Sequence, residues 1–207
     1  MLNNLPNLLT LARIVLIPVI VGLLFVPADW ARWVAGGLFA AAAITDYFDG
    51  YLARAWSQVS ALGRFLDPIA DKLLVGAVLM MLLANDELQG WSVLPALIIL
   101  LREILVSGLR EFLAGAAVGL PVTRLAKWKT AVQLVAMGFL VVGGAGPTGW
   151  FVSEIGLIGL WAAALLTLIT GWDYLIAGLR HIGAESAAPA KPAAQSEARA
   201  EAAGRTG

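Results

Sequence analysis

A bundle of six membrane-spanning helices, all-α, is the fold this sequence predicts, on three observations. Of 207 residues, 60% are hydrophobic and 14% charged, with mean hydropathy +0.83. A soluble globular chain carries roughly 45–50% apolar and about 25% charged residues, so this chain has too little polar surface to cover a water-soluble body. Six largely apolar runs, 8–26, 31–54, 62–83, 91–113, 124–143 and 151–178, come close to the ~20 residues that a helix needs to cross the bilayer core. Between them lie short segments rich in turn-forming residues.

The first run follows Pro6, which interrupts the place where a signal peptide's apolar region would begin; with no positive charge before it, the start reads as a retained span. Pro6 to Arg13 is expected to enter the membrane as an interfacial helical turn, with Asn7 and Thr10 as caps. Pro27-Ala28-Asp29 separates the first and second runs, and Asn85-Asp86-Glu87 with Gly90 the third and fourth. Pro68 falls at the opening of the third helix and Pro95 in the first turn of the fourth, where proline suits helical geometry. Gly143-Gly144-Ala145-Gly146-Pro147 ends the fifth run, and Arg180 with His181 ends the sixth, His181 as an interfacial cation or cap. From Ala184 the chain turns to Ala, Pro, Glu, Ser and Lys without periodicity. One membrane-embedded domain is therefore expected over 1–183, and a disordered tail over 184–207.

Basic residues set the orientation. Six spans put both termini on one side, which collects Arg13, Arg54, Arg64, Arg110, Arg124, Lys127 and Lys129. The other side holds Asp29, Asp86 and Glu87, with Arg32 the main exception. By the positive-inside rule the termini are cytoplasmic. Trp30, Trp33, Trp91 and Trp150 mark the outer interface and Trp56 and Trp128 the inner one, while Trp161 falls mid-span and is expected to pack.

Several functions are excluded by composition. Net charge is zero, with 14 basic and 14 acidic residues, so no bulk basic character points to nucleic acid. The absence of cysteine removes disulfides, thiolate metal sites and cysteine nucleophiles, and a single histidine removes a multi-histidine metal centre.

Charge inside the membrane is the informative feature. Asp46, Asp49, Asp67 and Asp71 fall near the inner ends of the second and third runs. An ionised carboxylate at a span centre costs roughly 2.5–3.5 kcal/mol on insertion scales, and four together repel one another. Asp46, Asp49, Gly50 and Ala53 share one helix face, as do Gly63, Asp67 and Asp71. A short connection makes the two helices antiparallel neighbours, so both carboxylate pairs face a common space with small residues around it. The compensating charge is either bound cations or the nearby Arg54, Arg64 and Lys72. Oxygen-only surroundings suit hard ions such as Mg²⁺ or Mn²⁺, and carboxylates around two such ions are an arrangement used for phosphoryl displacement.

The spacing Asp46-x2-Asp49-Gly50-x2-Ala53-Arg54-x8-Gly63-x3-Asp67-x3-Asp71 resembles the complete signature of the CDP-alcohol phosphatidyltransferases. The likeness extends over roughly residues 4–180. It implies a six-helix membrane enzyme, usually a homodimer, whose polar cavity opens to the cytoplasm. Two divalent cations, Mg²⁺ or Mn²⁺, would be held by Asp46, Asp49, Asp67 and Asp71. Asp71 would be the base for the incoming hydroxyl, with Asp67 the alternative. Gly50, Ala53, Arg54 and Gly63 would accommodate the cytidine nucleotide of the lipid donor, bordered by Asn7 and Thr10.

Flanking segments resemble the bacterial inner-membrane branch that uses sn-glycerol 3-phosphate as acceptor. They are Asn4–Arg13, Arg102-Glu103-Ile104, Ser107–Glu111 and Ala126–Thr130 with Gln133. That branch implies transfer of the phosphatidyl group of CDP-diacylglycerol to the acceptor, giving phosphatidylglycerophosphate and CMP. Arg110, Arg124, Lys127 and Lys129 are the candidates for the acceptor's phosphate, although juxtamembrane cations also fix topology and contact anionic lipid. Arg102 and Glu103, inside the fourth span, need internal partners. Other readings stay open: another acceptor (serine, inositol phosphate or phosphatidylglycerol), a divalent-cation transporter, or a silent scaffold whose aspartates pair with arginine and lysine.

Overall fold

The structure is a computed structural model that describes residues 5–55, 61–115, 124–147 and 149–187. Helices account for nearly all of them, and no strand occurs among the described residues. The helices are α1 (Leu5–Leu24), α2 (Asp29–Ala55), α3 (Ala61–Ala84), α4 (Val93–Gly115), α5 (Arg124–Val142) and α6 (Val152–Ala187), with short 3-10 turns at Gly90–Ser92 and Gly143–Ala145. Among the described residues four segments are long and apolar enough to cross a membrane: Asn7–Leu24, Gly90–Leu113, Lys127–Ala145 and Val152–Ile176. The long helices α2 and α3 carry the signature aspartates, and these lower their hydropathy.

The helix ends follow local chemistry. Asp29 stands in the first turn of α2, where a carboxylate meets the positive end of the helix dipole. After α3 the chain reverses through Asp86 at φ 61, a left-handed conformation that Asp tolerates better than most residues. Asn85 donates from Nδ2 to the Leu24 carbonyl at 2.9 Å, satisfying an otherwise orphaned acceptor at the end of α1. Pro95 lies in the first turn of α4 as expected. Pro68, by contrast, sits inside α3, beyond the opening turn where the sequence reading put it, and costs that helix a backbone hydrogen bond. At the other end of the chain α6 continues to Ala187, into the stretch expected to be tail; the rest of that stretch lies outside the described residues.

The apolar core occupies one half of the bundle. Ile20 and Leu24 of α1, Phe39 of α2, Val78 and Leu82 of α3, Ile99 of α4, Met137 and Leu140 of α5 and Leu160 of α6 are all buried. These are the second half of each odd-numbered helix and the first half of each even-numbered one, as alternating helix direction requires. Helices α5 and α6 approach closely through small residues. A Cβ on Gly156 would lie 2.7 Å from Leu140 Cγ, and one on Gly159 2.9 Å from Ala136 Cβ. Inside a membrane such contact replaces the hydrophobic drive that lipid cannot supply.

The same end is closed by polar tethers. Arg32 of α2 pairs with Glu87 in the α3–α4 connection, and Trp33 Nε1 donates to the Ala145 carbonyl at 3.0 Å. Gly143, at φ +48, leaves room for the ion pair: a Cβ there would lie 2.7 Å from Glu87 Oε2 and 2.8 Å from Arg32 Nη1. Trp30, Trp33, Trp91 and Trp150 are exposed at this end, as expected for an interfacial belt. Trp161 is a correction: it is 39% exposed on the outside of α6, facing the surroundings of the bundle instead of its core.

Candidate functional site

The opposite half of the bundle is polar. On α1, Asn7, Thr10 and Arg13 are all buried, at 2%, 1% and 1% exposure, and their spacing puts them on one face of an otherwise apolar helix. That face meets the aspartates. Thr10 Oγ1 donates to Asp67 Oδ1 at 2.5 Å. Arg13 Nη1 lies 2.8 Å from Asp46 Oδ1 on α2 and 2.9 Å from Asp71 Oδ1 on α3. One nitrogen therefore gathers carboxylates from two helices onto a third, roughly 12–15 Å in from the helix ends at about 1.5 Å of rise per residue.

Three of the four predicted aspartates are thus brought to one place, with Gly63 buried on the same helix as two of them. The surroundings of Gly50 and the side chains of Asp49, Ala53, Arg54 and Arg64 lie outside what is described, although positions 49–54 belong to the helical backbone of α2. Sequence reasoning looked for compensating charge at Arg54, Arg64 and Lys72; the side chain found between Asp46 and Asp71 is Arg13. The three-residue spacing of Asn7, Thr10 and Arg13 was the available signal.

The donor set suits a hard divalent ion. Among the described residues no three acidic or histidine side chains close on one point. Even so, two carboxylates converge on a single cationic nitrogen, which stands in for a positive ion among oxygen donors. Asp46 and Asp71 keep 33% and 48% of their side chains exposed, so the carboxylates remain reachable from outside the bundle.

A second polar cluster joins α4, α5 and α6. Lys129 of α5, only 4% exposed, donates to Glu103 of α4. Arg102 Nη1 is 3.6 Å from the same carboxylate, and its Nη2 donates to Thr170 Oγ1 of α6 at 3.1 Å. The guanidinium also lies 5.8 Å from the centre of the Tyr174 ring, within cation–π range. Gln133 Oε1 and Thr167 Oγ1 are buried with no hydrogen-bond partner. Of the four cations predicted for acceptor phosphate, Lys129 points into the bundle, Arg110 and Lys127 are exposed, and the Arg124 side chain lies outside the described residues. Between α1 and α3 runs an open groove of about 590 Å³ lined by Ile14, Ile17, Pro18, Lys72, Leu73, Gly76 and Ala77. Lys72, next in sequence to Asp71, gives this apolar groove a charged end beside the site.

Apolar helices enclosing carboxylates and cations at one end define a multi-pass membrane protein with a polar site between its helices. The chain belongs to the CDP-alcohol phosphatidyltransferase family, whose sequence profile matches residues 3–177. A CDP-diacylglycerol–glycerol-3-phosphate 3-phosphatidyltransferase of Rickettsia typhi is 50% identical over 173 residues, 84% of this chain and 96% of that protein. Proteins of the same name from Cereibacter sphaeroides and Shigella flexneri serotype 5b are 40% and 42% identical, covering 86% and 84% of this chain and 97% and 94% of their own length. Members of the family generally use a divalent metal.

Proposed function

We propose that this chain transfers the phosphatidyl group of CDP-diacylglycerol to the 1-hydroxyl of sn-glycerol 3-phosphate, forming phosphatidylglycerophosphate and releasing CMP. The convergence of Asp46 and Asp71 from two helices on one cationic point carries the reading, since it joins both halves of the family signature at one site. The names of the relatives supply the acceptor.

Asp46, Asp49, Asp67 and Asp71 would hold two divalent cations, Mg²⁺ or Mn²⁺, which supply charge neutralisation for the pyrophosphate and the departing CMP. The remaining steps belong to the chain's own residues. Gly50, Ala53, Arg54 and Gly63, bordered by Asn7 and Thr10, seat the cytidine nucleotide. The acceptor oxygen attacks the lipid-side phosphorus, the bond from that phosphorus to the CMP oxygen breaks, and the hydroxyl proton passes to a carboxylate. Asp71 takes that role best, because about half its side chain is exposed; each candidate base accepts one hydrogen bond from α1, Asp71 from Arg13 and Asp67 from Thr10. A primary alcohol is a poor nucleophile at neutral pH, and such a base contributes typically 10²–10⁴-fold.

The acceptor's phosphate needs cations near the aspartates. Lys129, with Arg102 beside it, is the interior candidate. Arg110, Lys127 and Arg124 serve as outer contacts that draw the anion to the mouth. The apolar groove ending at Lys72 suits an acyl chain of the donor. The full arrangement is six spans over residues 1–183 and a tail over 184–207, with both termini and the cavity facing the cytoplasm of a bacterial inner membrane, as a homodimer.

An acceptor-resolved assay tests this. Purified protein with CDP-diacylglycerol should release CMP with sn-glycerol 3-phosphate and not with serine, inositol phosphate or phosphatidylglycerol. CMP release with serine alone would refute the acceptor assignment.

A further inference from the structure

Arg13 is not one of the eight signature positions, yet it makes the contacts that join three helices. Its burial is nearly complete, and its Nη1 reaches Asp46 Oδ1 at 2.8 Å and Asp71 Oδ1 at 2.9 Å. A guanidinium donates hydrogen bonds into carboxylate lone pairs. A divalent cation needs carboxylate lone pairs too, at about 2.0–2.6 Å. Arg13 takes one oxygen of each aspartate and its positive charge repels an arriving cation, so arginine and metal compete for the pair. Without either, Asp46 and Asp71, drawn to one point though partly exposed, would face each other uncompensated, and like charges so close repel.

We propose that Arg13 is an exchangeable internal counter-ion: it holds Asp46 and Asp71 together in the metal-free protein and releases them when divalent cations bind, thereby setting cation affinity. Thr10 holds Asp67 through a donated hydrogen bond, without supplying charge. The polar face of α1 thus keeps the carboxylates of α2 and α3 assembled before loading. Arg13 is a positioning residue, acting through the aspartates. The inference rests on their proposed role as cation ligands.

Full-length protein in detergent micelles, free of substrate, provides the test. Mn²⁺ binding is followed by the electron paramagnetic resonance signal of free Mn²⁺, and melting temperature is measured in EDTA and in saturating Mn²⁺. Arg13→Gln should bind Mn²⁺ at least tenfold more tightly than the unmodified chain. It should also melt lower in EDTA and recover most of that loss in Mn²⁺. Arg13→Lys, which keeps the charge and loses the fork, should fall between. If Arg13→Gln cannot be purified in EDTA, Arg13→Lys carries the comparison and should still bind Mn²⁺ more tightly than the parent. Binding no tighter than the parent in the tested variant overturns the proposal, as does a melting loss equal in EDTA and Mn²⁺, which marks a purely structural arginine. An unmodified chain that binds no Mn²⁺ would instead remove the cation-site reading itself, and this proposal with it.

Discussion

Glu103→Gln should be among the most damaging conservative changes in the molecule. Glu103 is the carboxylate facing two cations, Lys129 at 4% exposure and Arg102 at 12%, the latter with Nη1 3.6 Å away. Removing one partner from a buried pair costs roughly 3–5 kcal/mol, mostly because the other charge is left uncompensated. Glu103 itself retains 23% exposure, which lets water offset part of the loss, so about 3 kcal/mol is expected. At about 1.4 kcal/mol per tenfold, that is on the order of a hundredfold in the folding equilibrium. Changing Lys129 to Gln as well removes the stranded ammonium and should restore much of the stability. A double-mutant cycle by equilibrium unfolding in mixed micelles should give a coupling of about 2 kcal/mol, above the average of ~0.6 kcal/mol measured for hydrogen-bonded pairs in a membrane protein. A coupling at or below that average would refute the reasoning, since the pair would then be no better than a neutral hydrogen bond.

Two further outcomes follow from the site and the far end. Asp71→Asn should cut CMP release by about 10²–10⁴-fold with the helical circular dichroism signal unchanged, and Asp67→Asn should also fall sharply; near-normal turnover in both would contradict the placement of the reaction. Gly143→Ala should lose about 1–3 kcal/mol from its positive φ and from crowding the Arg32–Glu87 pair, while Gly144→Ala, with nothing within 4 Å of its Cβ, should stay within about 0.5 kcal/mol, both read by thermal melting in micelles.

Much of the helical layout was legible because long apolar runs bounded by turn-forming residues read as helices. The expected run 31–54 became Asp29–Ala55, and 62–83 became Ala61–Ala84. The α3–α4 and α5–α6 connections fell where Asp86 and Gly143 adopt positive φ, conformations that their residue types announce. The aspartates were legible because charge inside an apolar run is rare and expensive. Arg13 was missed for a physical reason: its partners are 33 and 58 positions away in sequence, and local spacing favours sequence neighbours such as Arg54 or Lys72. Lys129 shows the same limit. Its neighbour Lys127 is identical in charge, yet two residues of helical rotation send one inward to Glu103 and leave the other exposed. Trp161 escaped as well, because an apolar ring on a membrane helix is equally at home against lipid or core.

The most direct measurement is the anomalous scattering of Mn²⁺ in crystals of the protein grown with the ion. Peaks bounded by Asp46, Asp67 and Asp71 at roughly 2.0–2.6 Å from carboxylate oxygens, with Asp49 completing the set, are the predicted result. Saturating Mn²⁺ that leaves no peak among these side chains, with Arg13 still bridging Asp46 and Asp71, would contradict it.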